Sequence, residues 1–290
     1  MVMELDRRLH AFRPDLADAR LSGIVHADRF AVPTPAQIIV PVAPLRPKPS
    51  EAAFIDSQLL FGEIVDIFER KSGWAWVQSR FDGYVGYLPE AMLAEGEREA
   101  SHVISVPRTF LYPEAELKAG PVCALSMGCR LTFIDEAETR GSRYYLCSDG
   151  TAVFADHCFP LGRAFERDPV KTALRFLETP YLWGGRSGFG LDCSALIQMA
   201  MMMAGIAVPR DSDMQELMEG EPVTRRALKR GDLVFWKGHV GIMEDAKTLV
   251  HANGATMRVT RENLDHAITR IAPVYGNPTS YLRPATGRTG

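Results

Sequence analysis

Cys193 stands where a nucleophile would be placed. It follows a glycine-rich loop (Gly184, Gly185, Gly188, Gly190) and precedes an apolar run, Ala195 to Ala204, that stops at Gly205. A run of good helix formers ended by glycine predicts a helix with its C-terminal cap, so Cys193 falls in the first turn. The unpaired N–H groups and positive dipole end there stabilise an anion, and the thiol is expected to ionise more easily. A lone cysteine is more often a buried structural residue, so the catalytic reading needs a base. His239 and His251 supply two candidates.

The elements around these histidines are short. Leu233 to Trp236, Val240 to Met243 and Thr248 to Val250 read as strands, and Glu244-Asp245-Ala246 as a turn. A hairpin closed at that turn pairs Met243 with Lys247 and Val240 with Val250, so that His239 faces His251. Directly opposed residues share a sheet face with Cβ atoms about 4.5–5.5 Å apart. One imidazole can then accept the cysteine proton while the other bonds its second ring nitrogen and fixes the tautomer. A metal would need a third or fourth ligand, and beyond Cys193 none has suitable spacing. The glycine-rich loop is no phosphate cradle, because no Gly-Lys-Ser/Thr follows. No metal and no cofactor is expected. Upstream, Asp168-Pro169 reads as an N-cap and N1 proline for a helix over V-K-T-A-L-R-F-L-E.

Six blocks in order, P-Y-L-W-G-G, G-L-D-C-S, R-D-S-x-x-Q, G-D-L-V-F-W, G-H-V-G-I and H-A, resemble the NlpC/P60 cysteine peptidases across residues 164 to 290. The resemblance implies an α+β, papain-like catalytic domain that hydrolyses bacterial cell-wall peptides, usually at the γ-D-glutamyl–diamino acid bond. It makes Cys193 the nucleophile, His239 the general base and acid, His251 the orienting residue and Tyr181 the tyrosine beside the oxyanion. Asp192, Ser194, Asp211 and Ser212 match positions that contact substrate in related enzymes.

Before this domain the chain repeats itself. Val40-Pro41-x-x-x-Leu45-x-Pro47 recurs 66 residues on as Val106-Pro107-x-x-x-Leu111-x-Pro113, and Leu59-x-x-Gly62 recurs as Leu125-x-x-Gly128. Short β-type runs fill each copy: Ile64 to Phe68, Trp74 to Val77 and Tyr84 to Leu88, then Arg130 to Ile134, Tyr144 to Cys147 and Ala152 to Phe154. Two small all-β units are expected. They resemble bacterial SH3-like barrels, the second more degenerate, without the tryptophan pair. The divisions read as an N-terminal segment of short helix and tail over 1–30, barrels over 31–96 and 97–163, and the peptidase domain over 164–290. Trp183 could line the cleft or be buried, Met201 to Met203 read as core, and the tail after Val274 adds a last strand before fraying.

Barrel-bearing relatives suggest that Glu63 and Tyr84 reach the substrate, whereas the second copy has Cys129 and Thr151 at those places. With Asp192 they would hold a free ammonium, so the expected substrate is a murein peptide, L-Ala-γ-D-Glu-diamino acid, with its amino end unblocked. The whole chain agrees with a soluble enzyme of this kind. Its 290 residues are 46% hydrophobic and 24% charged, with a net charge of −3 that suggests neither nucleic acid nor anionic membrane as partner. Five irregularly spaced cysteines fit a reducing compartment. The first twenty residues carry no apolar core of a signal peptide, and no stretch approaches a membrane span. The expectation is a cytoplasmic endopeptidase of wall-peptide recycling. The rivals are an exported hydrolase whose barrels bind the wall, a non-catalytic scaffold, and an acyltransferase or amidase on the same fold. Diaminopimelate versus lysine at the third position, and the oligomeric state, are not written in these residues.

Overall fold

The computed structural model describes residues 5–285. The chain divides into two compact units, Met1–Leu161 and Gly162–Gly290.

The first unit opens with a segment whose residues 17–18 pair in parallel with 30–31. It holds the short helix expected, a 3-10 turn over Ala19–Leu21, but from residue 5 on it is no loose tail, because Ala11 and Leu16 bury against Phe68 and Trp76 of the first barrel. That barrel comprises β1 (Thr34–Ile38), β2 (Val42–Leu45), β3 (Ser57–Leu60), β4 (Ile64–Lys71), β5 (Trp74–Ser79), β6 (Val85–Pro89) and β7 (Leu93–Glu95). The sheet order is β6-β5-β4-β1-β7, and an Arg46–Tyr87 bridge ties the β2–β3 hairpin to β6. Val65 and Ile67 on β4, with Ala75 and Val77 on β5, face a common core. A bulge between Ile67 and Glu69 then breaks the alternation. Beyond it Glu69 pairs with Trp76 and Lys71 with Trp74, so the extra residue has turned the end of β4 inside out. Glu63 and Tyr84 are buried in this unit. Glu63, 1% exposed, accepts the Leu60 N–H through Oε2 at 2.9 Å, and Tyr84 belongs to the barrel core.

The second barrel comprises β8 (His102–Ile104), β9 (Arg108–Leu111), β10 (Cys123–Ser126), β11 (Arg130–Leu131), β12 (Asp135–Thr139), β13 (Ser142–Leu146), β14 (Ala152–Phe154) and β15 (Cys158–Pro160). Strands β9 and β10 begin 66 residues after β2 and β3. The repeated glycines Gly62 and Gly128 have φ of 80° and 90°, a left-handed turn that side chains resist. The strand expected over Arg130 to Ile134 stops at Leu131. β12 follows instead, invisible in a D-E-A-E-T run because it is exposed and held only by pairing with β13.

Among the described residues of the second unit are a six-stranded antiparallel sheet and four α-helices. Helix α1 (Pro169–Arg175) is capped by Asp168, whose side chain accepts the Val170 N–H. Then come α2 (Cys193–Met203), α3 (Ser212–Glu216), β16 (Gly220–Pro222), β17 (Leu233–Trp236), β18 (His239–Met243), β19 (Thr248–Asn253), β20 (Arg258–Asn263), α4 (Leu264–Tyr275) and β21 (Ser280–Pro284). The order is β16-β21-β17-β18-β19-β20. Helix α2 packs on β18 and β19 and is buried along nearly its whole length, Met201 and Met203 included. The last strand, β21, closes on β17. The fraying expected of the tail falls on residues 286–290, outside the described residues.

Candidate active site

Asp192 caps α2 and sets the position of Cys193. Its Oδ1 accepts the Ala195 N–H at 2.8 Å and the Ser194 hydroxyl at 3.2 Å, while Oδ2 accepts the Gly184 N–H at 3.1 Å. Arg210 completes the set. Fully buried, it donates to Oδ1 at 3.0 Å, to Oδ2 at 2.6 Å and to Ser194 Oγ at 2.9 Å. A buried ion pair is stable only when geometry and further hydrogen bonds offset the lost hydration, and this one spends both Asp192 oxygens doing so. Asp192 and Ser194 therefore tie the glycine-rich loop to the helix, and their polar atoms face protein partners. Asp211 precedes α3 and Ser212 opens it, both half-buried.

The thiol is not acidified by the helix start. Cys193 is 7% exposed, and burial, then the charge of Asp192, push it up to about 12 against the pull of the Val240 and Ser194 N–H groups and of Arg210. The sequence-based expectation failed because burial, then the Asp192 charge, outweighs the pull of the helix start. The contact with Val240 places the sulfur against β18, one residue from His239. Tyr181 bridges to Leu191, two residues before Cys193, and its phenol is pushed up by burial and by the charges of Cys193 and Asp192, so it stays a proton donor.

The two histidines meet, but not face to face. Ile242 pairs with Val250 and Met243 with Leu249, two residues away from the expected register. Asp245 causes the slip. Its Oδ1 accepts the N–H of both Lys247 and Thr248, and the Glu244 N–H closes on Thr248 O, so the turn is Asp245-Ala246-Lys247. A two-residue slip keeps every side chain on its own face. His239 and His251 become diagonal neighbours, which long side chains can bridge, with His239 Nε2 2.9 Å from His251 Nδ1. Gly241 sits opposite His251 in this register; a Cβ there would lie 2.7 Å from Leu249 and 3.1 Å from the His251 Cβ.

Glu262 fixes the tautomers, and the sequence reading missed it. His251 Nε2 lies 3.1 Å from Glu262 Oε2, and Arg270 donates to the same carboxylate at 2.5 and 3.0 Å. The His251 bond, then Arg270, hold Glu262 down to about 2. An ionised Glu262 accepts, so His251 Nε2–H donates. Burial keeps His251 neutral, leaving its Nδ1 as an acceptor for His239 Nε2–H. Burial, then His251, push His239 down to about 3, so its Nδ1 carries the bare lone pair. Glu262 could have been found once strand β20 was registered: Leu249 pairs with Glu262, which puts it diagonal to His251. Arg210 was visible as the first residue of the R-D-S-x-x-Q block, but its pairing with Asp192 was not, since only the fold brings them together. Trp183 is exposed, 64%, rather than buried.

Residues 178–272 match the NlpC/P60 family, and residues 45–93 match the bacterial dipeptidyl-peptidase SH3 domain. Over 220 residues the chain is 30% identical to the γ-D-glutamyl-L-lysine dipeptidyl-peptidase of Bacillus subtilis, covering 68% of this chain and 72% of that protein. The chain belongs to the NlpC/P60 family. A second relative, dipeptidyl-peptidase 6 of Lysinibacillus sphaericus, is 28% identical over 249 residues, 79% of this chain and 92% of that one. The crystal structure of an NlpC/P60 family protein from Bacillus cereus shares the fold, with a TM-score of 0.72 at 23% identity over 86% of this chain and 99% of that one. The protein is thus an NlpC/P60 cysteine peptidase with a bacterial SH3 domain ahead of its catalytic unit.

Proposed function

We propose that the enzyme hydrolyses the γ-D-glutamyl–diamino acid bond of murein peptides whose N-terminal L-Ala is free, in the cytoplasm, as a step of cell-wall peptide recycling. The chemistry is carried by the His239–His251–Glu262 chain beside Cys193. The bond and the free amino end are supported by the relative named a γ-D-glutamyl-L-lysine dipeptidyl-peptidase, an activity that counts two residues from an amino terminus.

The steps follow from the protonation states. His239 Nδ1 takes the Cys193 proton as the sulfur attacks the γ-glutamyl carbonyl. The Tyr181 hydroxyl and the Cys193 N–H donate to the oxyanion. His239 then gives its proton to the departing amine, leaving a thioester. It next takes a proton from water, which attacks the thioester, releases the γ-carboxylate and restores the thiol. Glu63 and Tyr84 are the residues expected to read the free ammonium, and both side chains are buried within the first barrel; Asp192, expected to share that work, is already neutralised by Arg210. The cytoplasmic assignment draws on the five irregularly spaced cysteines, which fit a reducing compartment.

The test compares kcat/KM on L-Ala-γ-D-Glu-diamino acid peptides with free and N-acetylated ends, with products identified by mass. A dipeptide product and a loss of a hundredfold or more on acetylation are expected. Equal rates, or rapid digestion of wall polymer, exclude the recycling reading and favour an exported hydrolase.

A further inference from the structure

We propose that the outer face of the first barrel holds a second ligand site, a pocket for a neutral saccharide. The bulge in β4 builds it. By turning Glu69 and Lys71 outward, it sets them across from Trp76 and Trp74, and Tyr87 pairs with Trp76 on the same face. Bulges recur where a side chain must be re-aimed, and here two charged groups are aimed onto an aromatic strip.

These residues line a cavity of 510 Å³, within the roughly 300–1,000 Å³ typical of small-molecule sites. Arg13 lines it and covers Trp76. The guanidinium lies 4.3 Å from the Trp76 ring centroid and donates to the Tyr87 hydroxyl at 2.7 Å, to Glu69 at 2.6 Å and to Asp15 at 2.9 Å. Trp74 and Lys71 form the outer rim, and Trp74 is only partly covered. The site is not the place assigned to Glu63 and Tyr84. Those residues flank the other ends of β4 and β5, and β5 alone (Trp74–Ser79) spans about 20 Å.

The lining selects the ligand class. Two cations, Arg13 and Lys71, face two carboxylates, Asp15 and Glu69, so the charges cancel and neither a phosphate nor a polycation is favoured. Arg13, Asp15 and Glu69 already pair with one another and offer only their remaining donors and acceptors sideways. A hydroxyl is both donor and acceptor and suits such a rim, while the C–H face of a sugar ring suits the partly exposed Trp74 ring, Trp76 being buried under Arg13. A proline-rich strand would need bare aromatic faces along a groove, whereas Arg13 already covers Trp76.

The experiment is a titration of the full chain with diacetylchitobiose, cellobiose and a proline-rich peptide, read by the indole N–H resonances of Trp74, Trp76, Trp183 and Trp236. Saturable shifts of Trp74 and Trp76 alone with a disaccharide are expected. Trp74→Ala should weaken binding at least tenfold with peptidase turnover unchanged, and Trp74→Phe should be intermediate. The wild-type spectra decide even if Trp74→Ala does not fold. No saturable shift with either disaccharide, shifts only with the peptide, or undiminished binding in a folded Trp74→Ala overturns the proposal.

Discussion

A neutral thiol beside a neutral imidazole reacts only if the proton moves together with the attack. With Cys193 near 12 and His239 near 3, the resting enzyme holds almost no thiolate–imidazolium pair. Alkylation of Cys193 by iodoacetamide, followed on its own peptide by mass spectrometry, should therefore be slow at pH 7 and rise about tenfold per pH unit through pH 9. A plateau reached below pH 8 would show a preformed thiolate and contradict this account. Glu262→Gln keeps the shape but removes the charge that raises both histidines. The base weakens, so the plateau of kcat/KM should fall roughly tenfold and the acid limb should move to lower pH. A fall in the plateau with an unmoved limb would mean that Glu262 merely packs. Cys193→Ala and His239→Ala should each leave no measurable turnover in a folded protein, because nucleophile and base act as a unit.

The hairpin β18–β19 turns chain geometry into chemistry, and its tolerance is small. Gly241→Ala would drive a methyl against Leu249 and His251. The expected result is a kcat reduced about 100-fold, since misplacements near 1 Å cost that much, with the circular dichroism spectrum retained. Wild-type kcat would show that the strand yields without moving the imidazole. The same hairpin shows what a sequence can disclose. Strand positions and the shared face of His239 and His251 follow from alternation. Their register does not, because it was decided by the Asp245 side chain capping its own turn. The helix of Cys193 was legible from composition and its glycine stop. The ionisation of Cys193 was not, because burial, then the Asp192 charge, outweighs the pull of the helix start only after folding. The bulge at Phe68 was equally hidden, since one extra residue leaves no mark in an otherwise regular strand.

Across the whole molecule, pH acts through the same few groups. Unfolded, a histidine takes up a proton near pH 6.5; folded, His239 and His251 are both held neutral below that. Stability from them is complete above about pH 7 and is lost as pH falls. Glu262 adds a loss in the same direction between 4.5 and about 2. Between pH 7.5 and 4.5 the cost should be on the order of 2 kcal/mol, seen as a lower urea midpoint; an unchanged midpoint would refute it. The doubled barrel has a different consequence. A chain that contains one module twice is its own comparison, and drift has sorted its positions. What recurs at 66 residues, such as the Val-Pro step and the left-handed glycines Gly62 and Gly128, is what the module needs in order to fold. What appears once, such as Glu63 or the Trp74–Trp76 pair, was free to be recruited. In a saturation library screened separately for abundance and for turnover, substitutions that spare abundance but abolish turnover should fall in the first copy and be nearly missing from the second.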